Sequence, residues 1–142
     1  MGIRRKGREA ALQMLYQMDA SGASAEEAIR LFWASLGDDE ETKDELEGAD
    51  FANQIVRGWA NEAARVDELI KQASHHWRLE RMGRVDRSVL RLGTWELMSL
   101  SDVPRRVTLN EAVELAKRFG AEGSSSFVNG VLDRIATLLE KA

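Results

Sequence analysis

Residues 107–139 read VTLNEAVELAKRFGAEGSSSFVNGVLDRIATLL, and this stretch predicts two helices joined by a short turn. Apolar residues recur every three or four positions in both halves, as on helices with one buried face. Thr108 and Glu111 have the spacing of a capping box at the start of the first helix, and Gly120 stands where a left-handed C-cap is expected. A Gly/Ser-rich turn over 120–126 then leads to the terminal helix.

The same periodicity continues towards the N-terminus. It predicts a helix over about 85–99, which a short helical turn around 79–82 precedes. Further upstream, a stripe of about six turns over 51–73 predicts the longest helix of the chain, with Gly58 inside it. The C-terminal two thirds of the sequence are therefore helical in pattern.

The N-terminal third predicts two more helices and a loop. A helix over 3–19 ends at Ser21 and Gly22, and Ser24 with Glu27 forms a capping box before a helix over 25–36. Residues 37–50 carry many carboxylates and little apolar surface, which predicts a mobile acidic loop. Because no stretch alternates like a strand, we expect an all-α fold of about seven helices, including the short one.

Composition narrows the class of protein. A length of 142 residues predicts a single domain over 1–142, and the absence of cysteine excludes disulfides and thiolate sites. No apolar run approaches the roughly 20 residues of a membrane span, so we expect a cytoplasmic protein that is neither exported nor membrane-bound. The net charge of −4 means that any nucleic-acid site must be a local basic patch.

A basic arm over residues 1–8 is the first candidate for such a patch. Arg4, Arg5, Lys6 and Arg8 stand at a helix start, where the helix dipole disfavours cations. A mobile arm of this kind could wrap around a single RNA strand, although a solubilising tail explains the composition equally well. On a helical wheel Tyr16 lies close to Arg5, where it predicts either an RNA-stacking ring or the edge of the core.

A second candidate is a stripe on the helix over 85–99. Arg84, Arg87 and Arg91 share one helical face, and Trp95 extends it by another turn. An exposed stripe of this composition suits RNA or a protein partner. The alternative is that Trp95 is buried and the arginines pair with acidic residues elsewhere.

Other residues of the C-terminal half extend these hypotheses. Phe127 follows three serines at a helix start, so its ring either projects beside anion-binding amides or staples the helix to the core. Further cations could join the N-terminal arm in one basic patch; they are Arg105, Arg106, Lys117 and Arg118.

Catalysis has no visible constellation in this sequence. None of the common nucleophile, phosphate-loop or metalloprotease motifs occurs, and His75 and His76 are adjacent, which makes joint metal binding difficult. Glu96 falls on an apolar helix face, so we expect it to be buried with an arginine partner. We therefore predict no enzyme activity, metal or cofactor.

Three segments closely resemble the NusB family of bacterial transcription antitermination factors. They are RRKGREAALQMLYQMD, VDRSVLRLGTWEL and SDVPRRVTLNEAVELAKRFGAEGSSSFVNGVLDRI. The resemblance implies seven helices in two packed subdomains. It also implies joint binding of boxA RNA with the ribosomal protein NusE, within the antitermination complex of RNA polymerase. Gly7, which loosens the first helix, and Gly123, where some relatives have an acidic residue, depart from the family pattern.

The resemblance also implies roles for individual residues. Asp86 and the neighbouring Arg84 would meet the partner protein. The RNA would meet the arm and the aromatic rings, namely Arg4, Arg5, Arg8, Tyr16, Arg87, Arg91 and Phe127. The charge pattern adds Lys6 and Lys117 as further RNA-binding candidates. Our main hypothesis is a non-enzymatic adaptor that promotes rRNA transcription. The alternative is a helical interaction or oligomerisation module, for example a homodimer, to which RNA binding is incidental.

Overall fold

Seven α-helices and one 3₁₀ turn form the regular structure of residues 2–36, 47–75 and 77–142, which are the residues that this computed structural model describes. The helices are α1 (Ile3–Ser21), α2 (Ala25–Ser35), α3 (Ala49–Asn61), α4 (Ala63–Ser74), α5 (Arg84–Ser99), α6 (Arg105–Phe119) and α7 (Ser124–Leu138). The 3₁₀ turn (Leu79–Arg81) lies between α4 and α5. No strand occurs among these residues, which confirms the all-α class.

The chain divides into two compact units, Met1–Asn61 and Glu62–Ala142. This division matches the two subdomains that the family resemblance implies. The prediction of a single domain concerns how the two units pack together, and it stays a prediction. No helix in the described ranges is long and apolar enough to cross a membrane.

In the first unit, α1 packs against α3, and α2 contacts both. Gly22 ends α1 in the left-handed conformation at φ 77°, and its amide donates to the carbonyl of Met18 at 2.8 Å. Ser24 then caps α2, since its hydroxyl accepts the amide of Glu27 at 3.2 Å as predicted. The apolar core of this unit includes Leu12, Met14, Leu15, Ala28, Ile29, Ile55 and Val56.

Two glycines set the distance between α1 and the segment that leads into α3. A Cβ atom on Gly7 would lie 2.9 Å from the carbonyl oxygen of Gly48 and 3.0 Å from the ring of Phe51. A Cβ atom on Gly48 would lie 2.7 Å from the backbone nitrogen of Gly7. Gly7 therefore allows two backbones to touch, and its interpretation as a residue that merely loosens the helix missed this role.

The predicted six-turn helix over 51–73 is wrong, because the chain breaks at Glu62 between α3 and α4. Glu62 has φ −119° and ψ 20°, outside the helical region. Ile55 and Val56 on α3 are buried in the first unit, whereas Val66 and Ile70 on α4 are buried in the second. One uninterrupted apolar stripe thus contributes to two cores, so its periodicity gave no sign of the break.

In the second unit, α5 packs against α6 and α7, and α4 contacts α5 and α7. Gly93 lets α5 approach α7 closely, because a Cβ atom there would lie 2.8 Å from a methyl of Leu132. Glu96 on α5 is buried at 1% exposure, as expected, while its arginine partner stays a prediction. The apolar core includes Val89, Leu90, Leu92, Leu115, Val128, Val131, Leu132 and Ile135.

The predicted capping box at Thr108 is wrong. Helix α6 begins at Arg105, directly after Pro104, so Thr108 lies inside the helix, buried and without a hydrogen bond from its hydroxyl to any described residue. Proline disfavours the helical conformation in the residue before it and suits a helix start. The Arg105 amide donates to the carbonyl of Ala142 at 2.8 Å, which replaces a side-chain cap.

The turn between α6 and α7 also differs from the prediction. Gly120 has φ −92° and ψ −176°, so it is extended and not left-handed. Its lack of a side chain is still required, because a Cβ atom would lie 2.8 Å from the side chain of Ser124. The left-handed residue is Gly123, at φ 86°, and α7 begins at Ser124, so Ser124–Ser126 belong to the helix.

Most of the predicted acidic loop, residues 37–46, lies outside the described residues. Its predicted C-terminal end is helical, since Ala49 and Asp50 open α3.

Candidate nucleic-acid interface

The basic residues at the N-terminus stand on the first turns of α1. The predicted mobile arm is therefore wrong from Ile3 onwards, because the helix begins there and the Lys6 amide already donates to the carbonyl of Gly2. Arg4 and Arg5 are exposed, whereas Lys6 is half-buried with its ammonium 3.7 Å from a carboxylate oxygen of Glu9. A rigid helix thus presents two guanidinium-bearing side chains to solvent.

Arg8 does not share this exposure. Only 3% of it is accessible to solvent, and its guanidinium lies over the ring of Phe51 at 5.3 Å from the centroid. A residue so buried contributes to packing between α1 and α3. The structure therefore gives Arg8 a different role from the phosphate contact that the sequence predicted.

Tyr16 is 40% exposed, so it does not belong to the core. It lies within about 20° of Arg5 around the helix, but eleven residues separate them, which is about 16 Å along the axis. The two side chains therefore lie on the same side of α1 but are too far apart along the helix to contact each other. This side presents a cation near its start and an aromatic ring three turns later.

The predicted exposed stripe on α5 is wrong. Arg87 is buried, and its guanidinium donates to the carbonyl oxygens of Leu79 at 2.8 Å and Met82 at 3.0 Å. These carbonyls belong to the 3₁₀ turn and its end, where backbone acceptors have few other partners. Arg87 thus fastens this turn to α5, a structural role in place of the predicted contact with RNA.

Arg91 and Trp95 also face inward. Arg91 forms a two-pronged ion pair with Asp67 on α4, with distances of 3.0 and 3.1 Å. Trp95 is 5% exposed and packs in the core. The alternative interpretation of the stripe, a buried tryptophan with paired arginines, is therefore confirmed for these residues, and only Arg84 at the start of α5 is exposed.

Asp86 and Phe127 line one surface cleft of about 300 Å³ in the second unit. Trp77 is 58% exposed and meets Phe127 edge to face, with ring centroids 5.9 Å apart. Arg81 and Glu122 also line the cleft. Aromatic rings beside charged groups of both signs suit the side chains of a protein partner. Arg84 is exposed outside this lining.

Cations at the C-terminal end of α6 remain accessible. The Lys117 side chain is 60% exposed, 4.0 Å from a Glu114 oxygen, and the Arg118 guanidinium lies 4.9 Å from the centroid of the exposed Phe119 ring. Arg105 is occupied by Asp133, at 2.9 Å. The idea that these cations join the N-terminal arm in one patch stays a prediction.

The sequence matches the NusB family model over residues 5–137. This chain belongs to the NusB family. It is similar to the transcription antitermination protein NusB of Sorangium cellulosum, with 57% identity over 136 residues that cover 96% of this chain and 93% of that protein.

Solved structures of NusB proteins share the fold. The T. maritima NusB structure has a TM-score of 0.81 and 38% identity, and the match covers 94% of this chain and 90% of that one. A structure of antitermination factors NusB and NusE in complex with dsRNA has a TM-score of 0.81 and 25% identity, with coverage of 97% and 98%.

Within the NusB fold of this chain, three residues near the candidate sites escaped the sequence analysis. Phe51 was assigned only to a buried stripe, although its ring also underlies Arg8. Gly48 lay in a segment interpreted as loop, and Trp77 stood next to the adjacent histidines without a helical pattern. A tryptophan in a polar stretch outside any apolar stripe was the available signal for exposure.

The described residues contain no cluster of His, Asp and Glu side chains able to hold a metal ion, and His76 lies outside them.

Proposed function

We propose that this NusB-family chain is a non-enzymatic transcription antitermination factor of the cytoplasm that binds boxA-type single-stranded RNA jointly with a NusE-type ribosomal protein. In this role it promotes rRNA transcription as part of the antitermination complex of RNA polymerase. The mechanism is affinity and positioning, with no bond made or broken. The observation that carries the proposal is the exposed pair Arg4 and Arg5 on a helical first turn.

Arg4 and Arg5 supply the phosphate-binding part of the proposed RNA surface. Each arginine that neutralises a phosphate releases a counterion, so two exposed cations give affinity even on a chain whose net charge is −4. Tyr16, exposed on the same side of α1 as Arg5, supplies a ring on which a base can stack. Lys117 is a further accessible cation in the second unit.

The cleft of Asp86, Trp77 and Phe127 is the proposed meeting point with the protein partner. Carboxylates here repel phosphate, whereas they attract the basic side chains of a ribosomal protein. Phe127 is predicted to contact RNA and yet lines the same cleft as Asp86, which favours joint recognition of RNA and partner at adjoining surfaces. The related complex of NusB and NusE with dsRNA supports both partners.

The alternative function, an interaction module with incidental RNA binding, was based in part on the Arg/Trp stripe of α5. Arg87, Arg91 and Trp95 are turned into the second unit and cannot form an exposed dimer stripe. A homodimer through another surface stays a prediction that sedimentation velocity would test.

The test is RNA affinity for boxA and for a scrambled sequence, with and without the NusE-type partner. We expect partner-enhanced, sequence-dependent binding that the double variant R4A/R5A weakens at least tenfold. A plot of log K for RNA binding against log salt concentration should have a slope shallower by about 1.4 for the double variant than for the wild type. Each phosphate contact on a single strand contributes about 0.7 to this slope. The matched control R30A/R65A removes two exposed arginines elsewhere and equal charge. Equal losses in both double variants would refute the proposed surface.

A further inference from the structure

Two arginines of α1 share one aromatic ring of α3. The Arg4 guanidinium lies 5.0 Å from the centroid of Phe51, and that of Arg8 lies 5.3 Å away. Both distances fall within the range of a cation–π interaction. Arg4 and Arg8 are four residues apart on the helix, so they face the same side, and the ring lies below both.

The position of the ring follows from the two glycines between these helices. Gly7 lies between Arg4 and Arg8 in sequence, and Gly48 lies one turn before Phe51. Because neither has a side chain, the two backbones touch, and the Phe51 ring comes within 3.0 Å of where a Gly7 Cβ would stand. Only 9% of Phe51 is exposed, so packing against its neighbours fixes the orientation of the ring.

The two arginines differ in what they leave accessible. Arg8 is 3% exposed, so its guanidinium is committed to the interior. Arg4 is exposed, and its guanidinium contacts the same ring. A π face can orient a guanidinium through a cation–π contact while the side chain stays exposed.

We propose that Phe51 is a positioning residue for RNA binding, which holds the Arg4 guanidinium in place for a phosphate while the buried Arg8 packs against the same ring. This inference rests on the proposed function, because it assumes that Arg4 contacts RNA. Ordering the side chain in advance removes part of the entropy loss on binding, so the ring contributes to affinity without touching RNA.

A double-mutant cycle on RNA affinity tests the inference. F51L keeps an apolar side chain and removes the π face, and we expect an affinity loss of about threefold to tenfold. In the R4Q background, F51L should have almost no further effect, because the guanidinium that it positions is gone. F51Y retains the ring and should bind RNA as the wild type does. I55V, a buried change on the same helix away from the ring, controls for altered packing of α3.

R4K adds a variant that does not disturb the core. It keeps the charge and loses the planar guanidinium, so we expect a loss similar to that of F51L. An equal effect of F51L with and without R4Q, or wild-type affinity in R4K, overturns the positioning role while leaving the proposed function intact. RNA binding that R4Q itself leaves unchanged refutes the Arg4 contact, and with it both this inference and that part of the proposed function.

Discussion

The two arginine-rich segments of this chain look alike in sequence and differ in the structure. Arg4 and Arg5 stand on the first turn of α1 and are exposed, whereas Arg87 and Arg91 stand on α5 and are engaged inside the second unit. Both segments place arginines three or four residues apart on a predicted helix. Helical spacing alone therefore does not distinguish an exposed arginine from one whose guanidinium is bonded inside the protein.

The difference lies in what surrounds each guanidinium. Around α5, the 3₁₀ turn offers the carbonyls of Leu79 and Met82, and α4 offers the carboxylate of Asp67. These acceptors come from other elements, so local sequence could not reveal them. At the start of α1, by contrast, the exposed Arg4 guanidinium lies 5.0 Å from the centroid of the Phe51 ring.

The largest expected effect is on stability, from R87M. This change keeps the aliphatic stem and removes the charged hydrogen bonds to two carbonyls, so we expect a loss of about 3 kcal/mol in the free energy of unfolding. Urea denaturation measures it. The control R84M alters an exposed arginine three residues earlier on the same helix, and its effect should stay within about 0.5 kcal/mol.

Measuring the RNA affinity of the folded R87M protein tests the same contrast between the arginines of α1 and those of α5. Since Arg87 is internal, affinity should equal that of the wild type at temperatures well below unfolding. A stable R87M protein with a large loss of RNA affinity would return Arg87 to the RNA surface and end the contrast between the two segments.

The next largest effect concerns the close backbone contact between Gly7 on α1 and Gly48 before α3, which brings the first turns of α1 next to Phe51. G7A introduces a Cβ atom 2.9 Å from the Gly48 carbonyl oxygen, and we expect a net destabilisation of about 2 kcal/mol, because the clash outweighs the better helix propensity of alanine. G130A on α7 is the matched control. Its nearest contact would be a flexible Arg134 nitrogen at 3.9 Å, so it should stabilise by about 0.5–1 kcal/mol. Stabilisation by both variants would contradict the close backbone contact.

These examples indicate how far the sequence could predict this molecule. Apolar periodicity correctly predicted the all-α class, and the spacing of Ser24 and Glu27 correctly predicted the cap of α2, because both depend on local residues. The same capping-box spacing failed at Thr108, because α6 begins earlier and the Arg105 amide donates to the main-chain carbonyl of Ala142. Periodicity failed at Glu62, because one apolar stripe supplies buried residues to two separate cores. The decisive partners were distant in sequence in each failure.

The candidate site was predicted in a similar, partial way. Exposed Arg4, Arg5 and Tyr16 agree with a surface role, since residues at a helix start or off the apolar stripe tend to be accessible. The burial of Arg8 depends on Phe51, whose approach depends on Gly7 and Gly48. Such an approach between two helices has no signature in spacing, although a glycine inside a helix does raise the question.

The smallest expected effect comes from Arg57, an exposed arginine with a carboxylate partner. Arg57 on α3 donates to both carboxylate oxygens of Glu26 on α2, at 2.6 and 3.0 Å. The hydrogen bond from Arg57 holds the pKa of Glu26 below its ordinary value of 4.5. The unfolded chain therefore takes up this proton more readily than the folded one. The stability from the pair is fully present above pH 4.5 and is lost as the pH falls through the lower folded pKa.

A double-mutant cycle of E26Q and R57Q, followed by urea denaturation from pH 7 to pH 3, isolates this pair. The coupling should be small at neutral pH, because solvent screens an exposed ion pair, and it should decline towards zero as Glu26 becomes protonated. Added salt should weaken it further. A coupling that grew on acidification would show that the pair does not behave as an exposed ion pair. It would also weaken the view that an arginine's surroundings, more than its spacing, decide its role.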